Sequence, residues 1–61
     1  MKVGDLVRYK HHYAQGCFVV IGIQEYDCMW VTMVSLRDGK EYVDLIRSME
    51  IICEKKFDKS L

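Results

Sequence analysis

The residues with the most capacity for chemistry lie close together near the start of the 61-residue chain. His11, His12 and Cys17 offer nitrogen and sulfur ligands for a soft metal ion, but zinc sites usually pair such ligands two to four residues apart and repeat the pair elsewhere. No second pair occurs in the sequence. A cysteine nucleophile with a histidine base would also need an oxyanion hole and a substrate cleft, for which so short a chain leaves little volume. We therefore expect no metal, no cofactor and no enzymatic activity.

A basic stretch with interleaved tyrosines offers a second kind of chemistry. If the first and last strands are neighbours, this stretch and the lysines of the carboxyl-terminal tail share one edge of the sheet. Such an edge could bind nucleic acid, with cations along the phosphates and tyrosine rings stacked on the bases. Its residues are Arg8, Lys10, His11, His12 and Tyr13. However, nine basic and nine acidic residues give a formal net charge of +0, so no overall field favours a phosphate backbone. Lysine and arginine on an edge strand also commonly prevent unwanted strand pairing. Weak nucleic-acid binding is therefore the alternative function.

The composition favours binding to another protein. Hydrophobic residues make up 51% of the chain, which is high for so small an interior, so part of the apolar surface is expected to meet a partner. Strand alternation places one apolar set on a single side of the clearest hairpin, and methionine and tyrosine adapt well to partner surfaces. The predicted residues for binding a protein partner or a second copy are Met29, Val31, Met33 and Tyr42. The alternative is that the folded chain closes over this side and leaves only scattered exposure.

The hairpin is predicted from Asp38-Gly39, a dipeptide that favours a two-residue type I′ turn. Such a turn places Val34 opposite Val43. Trp30 would share the side of Val34 and is expected to pack inside. Because side chains alternate along a strand with a period of two, a slip by one residue would exchange the two sides.

Five short strands are expected to position these side chains, because turn-forming residues recur about every ten positions. Four are predicted over residues 6–10, 17–26, 29–36 and 50–54, and another follows the hairpin turn. Gly16 is expected to take a positive φ, and Gly22 to mark a bulge or sharp bend. Residues 44–49 are too short for a stable helix and predict a 3₁₀ turn before the last strand. The fold class is therefore all-β, with one domain over residues 1–54 and a charged tail over 55–61 that is expected to fray.

Cysteine number and hydropathy bear on the location of the protein. Three cysteines leave one thiol unpaired in any disulfide scheme, which favours a reducing cytoplasm. The longest apolar run, over residues 17–23, is too short to span a membrane, and no amino-terminal segment has the features of a signal peptide. We expect a soluble cytoplasmic protein without a membrane partner.

Several short motifs together resemble small Src-homology-3-like barrels. They are Val3-Gly4-Asp5-x-Val7, Gly16 before an apolar second strand, the Asp38-Gly39 hairpin, and the turn and strand from Leu45 to Ile52. They cover nearly the whole chain, and the combination is most similar to the short barrels common in bacteriophage genomes. The resemblance implies a partly open barrel of five bent antiparallel strands with a 3₁₀ turn before the last. It also implies a viral protein of the host cytoplasm or the virion.

Two functions of such barrels can be compared with the sequence. The signalling version that binds proline-rich peptides carries an Ala-Leu-Tyr-Asp-Tyr signature and a tryptophan pair, and both are absent here. The version associated with ribosomes and transcription begins with a Gly-Asp-x-Val strand, similar to Gly4, Asp5 and Val7, and contacts nucleic acid through a basic surface. Because one fold hosts many roles, the choice between a nucleic-acid and a protein partner rests on net charge and apolar content. The predicted function is a non-catalytic protein-protein interaction or assembly module.

Overall fold

The computed structural model describes residues 1–24 and 29–53. The ends of the predicted strands at residues 25–26 and 54, and the predicted tail over 55–61, lie outside these residues. Two 3₁₀ turns are present, the first at Tyr13–Gln15 and the second at Ile46–Ser48. The strands are β1 (Leu6–Tyr9), β2 (Phe18–Gln24), β3 (Trp30–Ser35), β4 (Glu41–Leu45) and β5 (Met49–Cys53).

The five strands form one open antiparallel sheet in the order β4-β3-β2-β1-β5. The second 3₁₀ turn carries the chain from β4 at one edge to β5 at the other. Its backbone is tied to both sides, because the Lys10 N–H donates to the Ser48 carbonyl and the Ile46 N–H donates to the Met29 carbonyl, each at 3.0 Å. The predicted all-β fold, with five strands and a 3₁₀ turn before the last, is confirmed.

The core lies on one face of this sheet. Six buried apolar side chains from β1, β2, β3 and β5 form a single cluster, namely Val7, Phe18, Val20, Val31, Met33 and Met49. Since no helix covers the sheet in the described part of the chain, the strands must curl so that the sheet buries its own face. Fully burying a valine or methionine side chain contributes about 1.5–3 kcal/mol, so this cluster is the main source of stability in a small domain.

Strand β2 bends where Gly22 interrupts its apolar run, as predicted. The register against β3 shifts between Val20 and Gly22, which leaves Ile21 as an extra residue on β2. Such a bulge increases the local twist and bends the strand. A Cβ at Gly22 would lie 3.7 Å from the Cβ of Thr32, which is ordinary contact, so the bend does not depend on close packing at this glycine.

The hairpin between β3 and β4 has a different register from the predicted one. Thr32 lies opposite Val43 and Met33 opposite Tyr42, a shift of two residues, so the turn is a four-residue loop rather than a type I′ turn. Asp38 explains the difference, because its carboxylate accepts the Lys40 N–H at 2.9 Å and only Gly39 in this turn takes a positive φ (74°). A shift of two leaves every side chain on its predicted side.

Two turns near the amino terminus set the start of the sheet. Gly16 takes the predicted positive φ (84°) at the end of the first 3₁₀ turn, before β2. The residues preceding β1 form a turn in which the Asp5 side chain is fully buried and accepts the Lys2 N–H at 2.8 Å. The Asp5 carbonyl accepts the Val20 N–H at 3.0 Å, so this turn is attached to β2.

Candidate functional site

The predicted partner-binding set is divided by the fold. Val31 and Met33 are fully buried in the core, whereas Met29 and Tyr42 are exposed. The expectation that Val31 and Met33 meet a partner is therefore wrong, because the curled sheet brings Val7, Phe18 and Met49 over this side of the hairpin. A binding role for Met29 and Tyr42 stays a prediction.

The opposite side of the same hairpin is the exposed apolar one. We define the outer face as Trp30, Thr32 and Val34 of β3, which alternate with buried residues, together with Val43 and Leu45, which lie opposite Thr32 and Trp30 on β4. The exposed Glu41 lies opposite Val34 and bounds the face at one end. Trp30 is 37% exposed and Val43 59% exposed, and the other three are half-buried. The prediction that Trp30 packs inside is wrong, because its side of β3 has no second layer over it in the described part of the chain.

An aromatic pocket opens at another side of the sheet. Its volume is about 200 Å³, and it is lined by Tyr9, His12, Gln15, Phe18 and Tyr42. The Phe18 ring meets Tyr9 and Tyr42 edge to face, with centroids 5.5 and 5.6 Å apart. These arrangements are the preferred geometry of aromatic pairs, so three residues from β1, β2 and β4 hold one another in place.

The two tyrosines of the pocket also bind carboxylates. The Tyr9 hydroxyl donates to Asp44 at 2.8 Å, and the Tyr42 hydroxyl donates to Asp38 at 2.7 Å. Burial and the bond to Asp44 raise the pKa of Tyr9 to about 12. The bond to Asp38 raises the pKa of Tyr42, and the Lys40 N–H together with Tyr42 lowers the pKa of Asp38. The walls of the pocket are therefore fixed by hydrogen bonds as well as by ring contacts.

Replacing Tyr9 with phenylalanine is expected to remove a titration step near pH 12 from the near-ultraviolet absorbance of tyrosinate. A tyrosine whose pKa is raised by folding contributes stability that is complete below its unfolded pKa of about 10 and is lost as the pH rises towards 12. The Tyr13→Phe variant is the control and should keep this step. A difference between wild type and Tyr9→Phe that falls near pH 10, and not near pH 12, would show that Tyr9 ionises as an ordinary tyrosine.

A basic groove adjoins the aromatic pocket. It has a volume of about 520 Å³ and is lined by Tyr9, Lys10, His11, His12, Asp44, Arg47 and Ser48. The structure thus brings together three residues of the predicted nucleic-acid set, Lys10, His11 and His12. Sequence reasoning missed Arg47 and Asp44, which reach the groove because the second 3₁₀ turn binds the end of β1 through Lys10 and Ser48. No local signal in the sequence indicates this contact.

The other two residues of the predicted nucleic-acid set are engaged elsewhere. Arg8 forms an ion pair with Glu50 on the neighbouring strand β5, and its guanidinium carbon lies 4.0 Å from the centre of the Tyr13 ring. The hydrogen bond to Glu50 raises the pKa of Arg8, and the bond from Arg8 lowers the pKa of Glu50. Arg8 and Tyr13 therefore stabilise one another and neither lines the pocket or the groove.

Comparison with known proteins gives no relative for this chain: no protein-family model matches it, and no curated protein and no solved structure is significantly similar to it. The resemblance to Src-homology-3-like and phage barrels therefore stays a prediction. The site must be interpreted from its own geometry.

The histidine, cysteine and acidic side chains do not form a recognisable reactive centre in the described part of the chain. Within residues 1–24 and 29–53, no group of three histidine, cysteine or acidic side chains lies close enough to hold a metal ion. Cys17 is half-buried and Cys53 is exposed. Among the described residues no helix has the length and apolar character needed to cross a membrane.

Proposed function

We propose that this chain is a non-catalytic protein-protein interaction module that associates with a second copy of itself through the outer face. The observation that supports this is the exposure of Trp30 and Val43 on a sheet side that carries a contiguous set of uncharged residues. Contiguous apolar surface of this kind marks interaction sites, whereas scattered exposure does not. A role in the assembly of a larger particle, in the cytoplasm or in a virion, is the wider form of the same proposal.

A second copy suits the outer face for reasons of charge and shape. All five residues of the face are uncharged and Glu41 lies only at its end, so the surface that covers the centre should be uncharged too, and an identical face meets this requirement. The formal net charge of +0 means that two copies do not repel each other at a distance. Two such sheets can pack face to face, as the layers of a β-sandwich do.

The size of the face predicts a weak dimer. Two strands about 4.8 Å apart and about six residues long give a footprint of roughly 10 by 20 Å. This is smaller than the roughly 800 Å² that each partner contributes to a standard stable interface. We therefore expect monomers and dimers in an equilibrium that depends on protein concentration.

Light scattering coupled to size exclusion, over a range of concentrations at low and high salt, tests the proposal. The mass is expected to rise from 7.2 kDa towards twice that value, and high salt should not reverse the rise because apolar contacts do not weaken with screening. Val43→Glu places a charge in the centre of the face and is expected to keep the folded chain monomeric at every concentration.

The matched control is Ile52→Glu, which introduces the same charge at an exposed apolar position on β5, the opposite edge of the sheet. It should still dimerise. A wild-type chain that stays monomeric at the highest concentration, or a folded Val43→Glu chain that still dimerises, would contradict the proposal.

A second candidate function is weak binding of single-stranded nucleic acid along the basic groove. The supporting observation is that Lys10, His11 and His12 line one groove together with Arg47. Phosphate contacts would make the affinity fall steeply with ionic strength, which an apolar interface would not show. A labelled single-stranded oligonucleotide titrated at two salt concentrations separates the two functions.

A further inference from the structure

We infer that the aromatic pocket and the basic groove form one docking site for a short peptide segment that carries an apolar side chain next to acidic residues. The two cavities share Tyr9 and His12 in their linings, so they lie next to each other. The site lies apart from the outer face, since neither cavity is lined by a residue of that face. The inference therefore does not depend on self-association.

The aromatic pocket suits a single apolar side chain. Its volume of about 200 Å³ is below the 300–1,000 Å³ typical of pockets for whole small molecules, and ring surfaces from Tyr9, Phe18 and Tyr42 line it. A buried aromatic or aliphatic anchor in such a pocket commonly supplies most of the affinity of a small interface. His12 and Gln15 at the rim can bond the backbone of the bound segment.

The basic groove carries cations that can attract the acidic residues of the peptide. Lys10 and Arg47 are exposed cations that line it, one after β1 and the other in the second 3₁₀ turn. Asp44 is the one acid among the described residues that line this groove. Its two carboxylate oxygens already accept hydrogen bonds from the Tyr9 hydroxyl and the Leu45 N–H, at 2.8 and 2.7 Å. The excess of cations at the walls favours carboxylates on the partner.

The site is fixed in shape before a partner arrives. Arg37 donates to the Ala14 carbonyl at 3.2 Å and so connects the β3–β4 loop to the first 3₁₀ turn, which carries Gln15 of the pocket. Tyr42 is held by Asp38 and Tyr9 by Asp44. Because little of the site has to become ordered on binding, a small contact area can still give measurable affinity.

The ring arrangement favours a peptide over single-stranded nucleic acid. Base stacking needs an open ring face, but Phe18 is only 3% exposed and meets its two neighbours through edges. The rings thus enclose a cavity and do not form a platform. Arg8, the remaining cation of this stretch, is paired with Glu50 and is not directed to the groove.

Fluorescence anisotropy with two sets of short labelled peptides tests the site. Each peptide of the first set has one leucine, phenylalanine or tryptophan flanked by glutamates, and the second set has lysines in place of the glutamates. We expect binding of the acidic set and at least tenfold weaker binding of the basic set. Lys10→Glu/Arg47→Glu should weaken acidic-peptide binding roughly tenfold or more, since each reversal replaces an attraction to the glutamates with a repulsion.

Two further variants test whether the peptides bind at this site and not elsewhere on the chain. Lys40→Glu changes a cation that lines neither cavity and should bind the acidic peptides like wild type. Gln15→Trp fills the aromatic pocket from its exposed rim without changing the charge, and it should lose binding while circular dichroism shows a folded chain. The monomeric Val43→Glu chain should still bind, which separates this site from the outer face.

The inference is overturned if neither peptide set binds, if the two sets bind equally, or if the Lys10→Glu/Arg47→Glu chain binds the acidic peptides as well as wild type does. A single-stranded oligonucleotide that binds more tightly than any peptide, in a manner that falls steeply with salt, would assign the groove to nucleic acid instead.

Discussion

Replacing Met33 with glutamate is expected to unfold the chain. Met33 is fully buried between neighbours of the core, and an ionised carboxylate without a partner at such a position is destabilising by several kcal/mol. A chain of 61 residues has a free energy of unfolding of roughly 3–9 kcal/mol, so the substitution removes most or all of it. Far-ultraviolet circular dichroism and a urea titration measure the effect, and the variant should lack a cooperative transition.

Two controls separate burial from charge in this experiment. Met29→Glu introduces the same carboxylate at an exposed methionine four residues earlier, and the chain should stay folded. Met33→Leu nearly conserves volume and should lower the free energy of unfolding by less than about 1.5 kcal/mol. A Met33→Glu chain with wild-type stability would show that the core does not close over this side of the hairpin.

The sequence of the β3–β4 hairpin alone does not indicate which of its two sides faces the core. Strand alternation separates Val31 and Met33 from Trp30 and Val34 correctly, whichever of the two registers is used, because the registers differ by an even number of residues. Both sets are apolar, however, so local sequence gives no preference. The preference comes from Val7 and Met49, which are distant in sequence and reach the Met33 side only when β1 and β5 pair.

The Asp38-Gly39 dipeptide likewise predicts only part of the turn between β3 and β4. Asp-Gly correctly indicates a reversal of the chain, and Gly39 supplies the positive φ that the loop requires. The loop is longer than expected because Asp38 binds the Lys40 N–H and the Tyr42 hydroxyl at the same time. The second of these bonds depends on where Tyr42 lies after folding, so the dipeptide alone could not predict it.

The candidate docking site is predictable only in part. The basic stretch with its tyrosines stands out in the sequence, and three of its members do line the groove. Its other wall, with Arg47 and Asp44, depends on a contact between the second 3₁₀ turn and the end of β1, which are nearly forty positions apart. Phe18 gave no sign of a binding role, because an apolar residue at the start of a strand is typical of a core.

Replacing Asp5 with alanine is expected to lower the free energy of unfolding by about 1.5–3 kcal/mol, the range for a hydrogen bond to a charged group. Asp5 is fully buried, and its carboxylate accepts the Lys2 N–H and lies 3.5 Å from the Lys2 ammonium nitrogen. The same residue joins the amino-terminal turn to β2 through its backbone, so a loosened turn also weakens the pairing of β1 with β2. For a domain of this size, thermal unfolding monitored by circular dichroism should show a decrease in Tm of roughly 6–24 °C.

Lys2→Ala provides the matched control, because it removes the other side chain of the ion pair and keeps the backbone N–H that Asp5 accepts. The Lys2 side chain is 53% exposed, and exposed ion pairs contribute about 0–1 kcal/mol, so this variant should remain close to wild type. Equal losses of stability in the two variants would mean that the ammonium group holds the turn. A large loss in Asp5→Ala alone would show that the buried carboxylate acts on the backbone, and that the Gly-Asp step before β1 is a structural requirement of this sheet.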